Sequence, residues 1–145
     1  SHKPANDGVL TVFQKIPSDL TDKAETLLKF VGLHQKRKLR AGDLSFGQQK
    51  LLELAMALMN EPKMLLLDEP TAGINPTLIN GIINRLIKVN NEYGITLLVI
   101  EHNMKVIMNL AQKIFCLAHG QMLAEGTPEQ IKNDKRVIDA YLGAQ

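Results

Sequence analysis

The sequence predicts an α/β layered fold with a mostly parallel sheet. Two runs of residues, 64–67 and 95–100, are almost purely apolar, and a stretch with helical periodicity separates them. A strand–helix–strand order is typical of parallel sheets, because the helix crosses from one strand to the next. Continuous apolar strands further indicate a sheet that is covered on both faces. With 145 residues, of which 45% are hydrophobic, the chain can bury a core in one domain.

The first third of the chain predicts one short strand and one helix. Residues 9–13 are compatible with the strand. Asp22 and Glu25 form a capping-box pattern that opens the helix, and Gly32 ends it. Residues 35–40 are basic, and we interpret them as a solvated linker, with an anion-binding patch as the alternative. The residues expected to face inward from this helix are Ala24, Leu27, Leu28 and Val31.

Two longer helices have clear start and stop signals. Ser45 is a good N-cap and Gln48 completes a capping box, which predicts a helix over residues 46–59. Asn75 caps the second helix, and Gly94 ends it. The residues expected to be buried are Leu51, Leu52, Leu54, Ala55, Leu58 and Met59 in the first helix and Leu78, Ile79, Ile82, Ile83, Leu86 and Ile87 in the second.

Short elements follow in the last third of the chain. After the strand of residues 95–100 comes a short helix, and then residues 113–118 and 121–125 predict a hairpin. Thr127 opens a further helix, and Asp134 caps another.

Acidic and imidazole side chains follow the two predicted strands. Asp68 and Glu69 come after the first strand, and His102 follows the second. Functional residues of open α/β sheets lie beyond the carboxyl ends of the strands, so we expect these side chains at one edge. Adjacent residues of an extended chain point to opposite sides. One carboxylate can therefore face a magnesium ion while the other orients or deprotonates an attacking water. The alternative is that the two acids only begin a loop and the histidine is structural.

The predicted helix that begins after Ser45 is a second candidate site. The free N–H groups at the start of a helix bind anions, and Gly47 lets the backbone approach a phosphate closely. The alternative is that Ser45 only caps the helix.

Composition argues against several classes of protein. Cys116 is the only cysteine, which excludes an intramolecular disulfide framework and suits a reducing compartment. The net charge of +2 and the lack of a basic stripe with interleaved aromatic side chains do not indicate nucleic acid. No apolar stretch approaches the ~20 residues that span a bilayer, and the first residues lack the apolar core of a signal peptide. We therefore expect any membrane contact to involve a partner.

The segments with candidate chemistry match the motif order of one family. Residues 44–48 resemble the signature motif of the ATP-binding cassette (ABC) ATPases, with Phe46 where glycine is commonest. Residues 64–69 are similar to the Walker B strand with its catalytic glutamate. Residues 72–75 are similar to the D-loop, with Asn75 where aspartate is common.

Two further motifs and a subtype follow from the same resemblance. His102 matches the switch histidine, and Gln14 resembles the glutamine of the Q-loop. Residues 41–49, 72–76, 101–104 and 137–143 resemble the ATPase subunits of branched-chain amino-acid importers. The lipopolysaccharide-export ATPase is a similar alternative.

The resemblance implies a fold and a division of the chain. The expected fold is the C-terminal part of a P-loop NTPase of the ABC ATPase type, with three layers and a C-terminal hairpin and helices. Residues 1–43 would be a remnant of the Q-loop region and a shortened helical subdomain, and residues 44–145 the C-terminal part of the core.

The resemblance also implies cofactors, partners and residue roles. ATP and Mg²⁺ are expected between two ATPase subunits that face each other head to tail. Permease subunits would hold them at the cytoplasmic face of the membrane. The residues that match the family motifs are Ser45, Gly47, Gln48 and Asn75 for the nucleotide, Glu69 and His102 for catalysis, and Asp68 and Gln14 for the metal.

One motif of the family is missing from the sequence. A Walker A loop needs G-x-x-x-x-G-K-[ST], whereas the pair Gly42 and Gly47 is followed by Gln48 and Gln49. We therefore predict that this chain alone does not hydrolyse ATP. The strand that would carry this loop is missing as well, so we expect an unpaired sheet edge that another chain covers, or else a poorly stable fragment. Two functions stay open at this point: an ATP-binding subunit that powers branched-chain amino-acid uptake when intact, and a non-catalytic interaction module.

Overall fold

The computed structural model of the protein describes residues 18–141. The predicted strand of residues 9–13 and Gln14 lie outside this range. Two short 3₁₀ turns, His34–Lys36 and Ala41–Asp43, join the first two helices. The helices and strands of the described residues are α1 (Ser18–Val31), α2 (Phe46–Leu58), β1 (Met64–Asp68), α3 (Pro76–Tyr93), β2 (Thr96–Ile100), α4 (Met104–Leu110), β3 (Ile114–Ala118), β4 (Gln121–Gly126), α5 (Pro128–Asn133) and α6 (Lys135–Tyr141).

Strands β1 and β2 form a parallel pair. Met64 lies opposite Thr96 and Asp68 lies opposite Ile100, so the two strands end at the same level. Helix α3 provides the crossover, as the strand–helix–strand order predicts. The α/β class and the parallel pairing are confirmed.

Strands β3 and β4 form the predicted hairpin. They pair antiparallel around the two-residue turn His119-Gly120, in which both residues have positive φ, 50° and 75°. Such turns match the twist of the flanking strands and favour glycine at the second position. A bulge between Cys116 and Leu117 shifts the register once.

Two apolar clusters form the core of the described residues. The larger cluster joins α1, α2 and α3 to one face of the parallel pair, and the smaller one lies between the hairpin and the last two helices. Helices α1 and α2 pack within one core, so the structure shows no boundary between them at residue 43. The division of the chain at this residue stays a prediction. The buried members of the larger cluster include Leu27, Val31, Leu54, Leu58, Leu65, Leu86 and Val89, and those of the smaller one are Ile114, Cys116, Ala124, Ile131 and Val137.

The predicted helix ends of the middle region are confirmed. Ser45 and Gln48 form the capping box of α2, and Asn75 Oδ1 accepts a hydrogen bond from Thr77 N at the start of α3. Gly94 ends α3 in the left-handed conformation, with φ of 66°. Thr127 opens α5, as predicted, and forms a capping box with Gln130.

The predicted start of α1 is wrong. The helix begins at Ser18, one turn before Asp22, so Asp22 lies inside the helix, where its carbonyl accepts from Thr26 Oγ1 at 2.8 Å. Glu25 pairs instead with the connector, 3.5 Å from His34 Nε2 and 3.8 Å from Arg37 Nε. Glu25 therefore forms ion pairs with the connector that follows the helix, and it does not cap the helix.

Within residues 18–141 only one face of the parallel pair is covered, whereas the sequence predicts coverage of both faces. Leu66 is 71% exposed, and Met64, Leu98 and Ile100 on the same face are exposed too, whereas Leu65 on the other face is 8% exposed. Helices of the described residues pack on one face only. The apolar run is therefore one-sided in burial, and its outer face stays open within residues 18–141.

The predicted buried stripe of α3 is wrong at its two ends. Leu78 is exposed, because it lies in the first turn, beside Gly47 and outside the larger cluster. Val89 is fully buried, although the prediction leaves it out. It lies seven residues after Ile82, which is two helical turns along the same face.

Candidate functional site

Glu69 and His102 come together at the carboxyl edge of the parallel pair. Since Asp68 and Ile100 are in register, the chain leaves both strands at the same level, and Glu69 N donates to Ile100 O at 2.8 Å. His102 Nδ1 then lies 3.0 Å from Glu69 Oε1. The two side chains are open to solvent, with 47% of Glu69 and 74% of His102 exposed. A carboxylate and an imidazole in contact can orient a water molecule or accept its proton.

Glu69 has a backbone conformation that is uncommon for its residue type. Its φ is 45°, in the left-handed region. The rule that adjacent residues point to opposite sides of a strand therefore stops at Asp68, the last residue of β1. Asp68 is exposed and borders an open, largely apolar groove of about 250 Å³ between α2 and β1, which Lys50 and Leu66 also line.

Glu101, which is not among the predicted site residues, joins the loop after β1 to the loop after β2. Its Oε1 accepts hydrogen bonds from the Thr71 backbone N–H at 3.1 Å and from the Thr71 hydroxyl. Its Oε2 accepts from Asn103 N at 3.4 Å. The available sequence signal is a carboxylate at the end of an apolar strand, directly before the candidate histidine.

The side chains of Ser45 and Gln48 are used by the helix that they begin. Ser45 Oγ accepts from Gln48 N at 3.4 Å, and Gln48 Oε1 accepts from Ser45 N at 3.0 Å. Gly47 is buried, and a Cβ there would lie 3.3 Å from Leu78 Cδ1 and 3.8 Å from Ile74 Cγ2. In the described residues, the missing side chain of Gly47 thus allows close packing of α2 on the start of α3.

The segment of residues 71–75 connects the two candidate sites. Its first residue, Thr71, is held by Glu101, and Gly73 lies against the Phe46 ring, where an added Cβ would be 3.1 Å from Cε1. Gly73 has φ of 69°, so this position favours glycine for its backbone as well. Asn75, at the end of the segment, caps α3.

The structure therefore brings some predicted residues together and leaves others apart. Glu69 and His102 are in contact, whereas Ser45, Gly47 and Gln48 lie at the start of α2, where Gly47 packs against Ile74 and the first turn of α3. Gln14 lies outside the described residues. Between residues 18 and 141, no group of three or more His, Cys, Asp or Glu side chains forms a cage for a metal ion. None of the helices in this range combines the length and apolarity that crossing a bilayer requires.

Two family models match the chain. The model described as "ABC transporter" matches residues 2–72. The model described as "Branched-chain amino acid ATP-binding cassette transporter" matches residues 121–145.

Curated relatives give the same family. The chain is 39% identical to the high-affinity branched-chain amino acid transport ATP-binding protein LivG of Escherichia coli strain K12. The match extends over 131 residues, which are 90% of this chain and 51% of the relative. It is 37% identical over 148 residues to the corresponding protein BraF of Pseudomonas aeruginosa, covering 98% of this chain and 58% of the relative. The chain thus spans about half the length of the curated relatives that it matches.

Solved structures of the family have the same fold. A crystal structure of the ADP conformation of an ATP-binding cassette of an ABC transporter matches with a TM-score of 0.79 and 38% identity, over 92% of this chain and 55% of that chain. A nucleotide-free ATP-binding cassette from an ABC transporter matches with a TM-score of 0.79 and 35% identity, over 97% and 56%. On its motifs, its fold and these relatives, the chain belongs to the family of ABC transporter ATP-binding subunits, in the branched-chain amino acid group.

Proposed function

We propose that the intact subunit to which this chain corresponds hydrolyses Mg-ATP to power uptake of branched-chain amino acids. The observation that carries the proposal is the contact of Glu69 with His102, at 3.0 Å, where the two parallel strands end. Relatives at 37–39% identity are named as branched-chain amino acid transport ATP-binding proteins, which supports the choice of solute.

The proposed roles of the two residues follow from their contact. Glu69 accepts a hydrogen bond from the attacking water and takes up its proton, because a carboxylate is an acceptor when ionised. When both of its ring nitrogens carry a proton, His102 donates to that carboxylate through Nδ1 and can donate to a phosphate oxygen through Nε2, which makes no hydrogen bond within residues 18–141. Both side chains are exposed enough to meet a substrate that enters from solvent.

The exposed carboxylate of Asp68 fits a magnesium ion that is held mostly by other ligands. Magnesium prefers few protein oxygens and takes its remaining ligands from phosphate and water. A single carboxylate at a strand end therefore suffices. When bound, the ion neutralises charge on the phosphate oxygens. Gln14 is a second proposed ligand by resemblance.

The start of α2 is the proposed contact with the nucleotide of a second subunit. Ser45, Gly47 and Gln48 would approach its terminal phosphate, with the helix N-terminus favouring the negative charge. Asn75 would contribute from the D-loop. This arrangement requires a second ATPase subunit. We further propose that permease subunits hold the protein at the cytoplasmic face of the membrane. Nucleic acid has no part in the proposed function.

The chain by itself is proposed to be inactive. Its sequence contains no G-x-x-x-x-G-K-[ST] loop, whose amides and lysine hold the β- and γ-phosphates. Calorimetry with Mg-ATP should accordingly detect no binding to the purified chain. Binding to it would mean that other residues supply the phosphate site.

The intact subunit tests the proposed function. Glu69→Gln should lower its ATP turnover by about 10²-fold or more, as loss of a general base does. Glu92→Gln, at the far end of α3, is a matched control with normal turnover expected. Normal turnover of Glu69→Gln would overturn the assignment. An intact subunit without ATP turnover would favour the interaction module, for which the open face of β1 and β2 is the supporting observation.

A further inference from the structure

The first loop, residues 69–75, and the second loop, residues 101–103, are tied together by one carboxylate. Glu101 accepts two hydrogen bonds from Thr71, one from its N–H at 3.1 Å and one from its hydroxyl. The other oxygen of Glu101 accepts from Asn103 N in its own loop, at 3.4 Å. Both oxygens are therefore occupied by the protein, so Glu101 is not placed to act on a substrate.

The burial of Thr71 makes its hydrogen bonds to Glu101 important for the position of the first loop. Thr71 is 5% exposed and is the one buried polar or charged residue found between residues 18 and 141. A buried hydroxyl or amide without a partner is destabilising, because it loses its hydrogen bonds to water. The buried N–H and hydroxyl of Thr71 therefore depend on Glu101 for their hydrogen bonds. Moving the first loop away from this carboxylate would break both bonds and destabilise the loop.

The tie acts next to the strained residue of the site. Glu69 has φ of 45° and precedes Thr71 by two residues. Such a conformation persists only where the surroundings determine it. Here the constraints are Glu69 N to Ile100 O at 2.8 Å, Ala72 N to Glu69 O at 3.0 Å, and the anchored Thr71.

We propose that Glu101 is a positioning residue that keeps Glu69 and His102 in contact by joining the two loops. It does so from the position directly before His102, so one residue holds the first loop and sets the start of the second. The proposal rests on the proposed ATP hydrolysis only for its effect on turnover, because the tie itself is a property of this chain.

Three variants separate the parts of the tie. Glu101→Gln keeps an acceptor oxygen for Thr71 but turns an NH₂ group toward Asn103 N, so one half is lost. Glu101→Ala removes both halves. Thr71→Val removes the hydroxyl at nearly constant volume. Val106→Ala, at a fully buried position just beyond the second loop, serves as a control for general loss of stability.

The first measurement uses this chain and needs no ATP. In Glu101→Ala we expect faster hydrogen exchange of the Thr71 amide and a shifted NMR signal of the His102 ring, with a smaller shift in Glu101→Gln. Val106→Ala should leave the ring signal unchanged. An unchanged ring signal and unchanged Thr71 exchange in a folded Glu101→Ala chain would overturn the proposal, whether or not the intact subunit hydrolyses ATP.

The second measurement uses the intact subunit. A misplacement of about 1 Å can reduce a rate by about 10²-fold, so Glu101→Ala should lower kcat by about 10- to 100-fold, with KM for Mg-ATP within about twofold. Combining Glu101→Ala with Thr71→Val should add little, because both remove the same contact. Unchanged kcat, or an equal loss of kcat in Val106→Ala, would contradict the positioning role. An inactive wild-type subunit would refute the proposed function and leave the NMR result to decide on the tie.

Discussion

Two neighbouring leucines of β1 give a sharp test of the one-sided burial. Leu65 is 8% exposed and belongs to the larger cluster, whereas Leu66 is 71% exposed on the open face. Leu65→Ala should lower the free energy of unfolding by about 2–5 kcal/mol, the range for buried leucines. Leu66→Ala should lower it by less than about 0.5 kcal/mol, as expected for exposed sites. The two variants lose the same atoms from the same strand, so the difference reports the burial.

Urea unfolding followed by circular dichroism measures this difference. At a slope of about 1.5 kcal/mol per molar urea, a difference of ~1.5–5 kcal/mol separates the midpoints by roughly 1–3 M. The comparison holds if the slopes of the two variants agree. Equal midpoints for Leu65→Ala and Leu66→Ala would refute the orientation of β1. In the intact protein we expect Leu66→Ala to be costly as well, because the remaining sequence should cover the open face.

Three further predictions concern local features. Ser45→Ala should lower the free energy of unfolding by about 1 kcal/mol through loss of the capping box, while Ser45→Thr should retain most of it in the same urea assay. Gly94→Ala should cost about 1 kcal/mol from left-handed strain alone, since nothing lies within 4 Å of the added Cβ, and Gly94→Asn should cost less. Burial, with a smaller effect of the Asp134 charge, raises the pKa of the Cys116 thiol, so a thiol reagent at pH 8 should react slowly with the folded chain and rapidly in urea. Because this pKa is higher in the folded state, the related stability is present at neutral pH and is lost as the pH rises through the alkaline range.

Much of the fold and part of the site were predictable from local patterns. Local signals that depend on a few adjacent residues were confirmed. They are the capping box at Ser45, the helix start at Thr127, the asparagine cap of α3 and the hairpin turn. The positions of Glu69 and His102 at one edge followed from strand order, since parallel strands end on the same side of a sheet. The order of the motifs along the chain also identified the family, because that order can be seen in the sequence without any tertiary structure.

The tertiary structure decided what depends on distant neighbours. Whether Leu66 is covered depends on which residues pack above the sheet, and an apolar run of residues does not predict this. Glu25 looked like part of a cap until the connector placed His34 and Arg37 beside it. Glu101 meets Thr71, 30 residues away in sequence, only because the two strands pair in register. Sequence by itself determined the elements and the motif residues, and the packing of the loops decided which side chains act together.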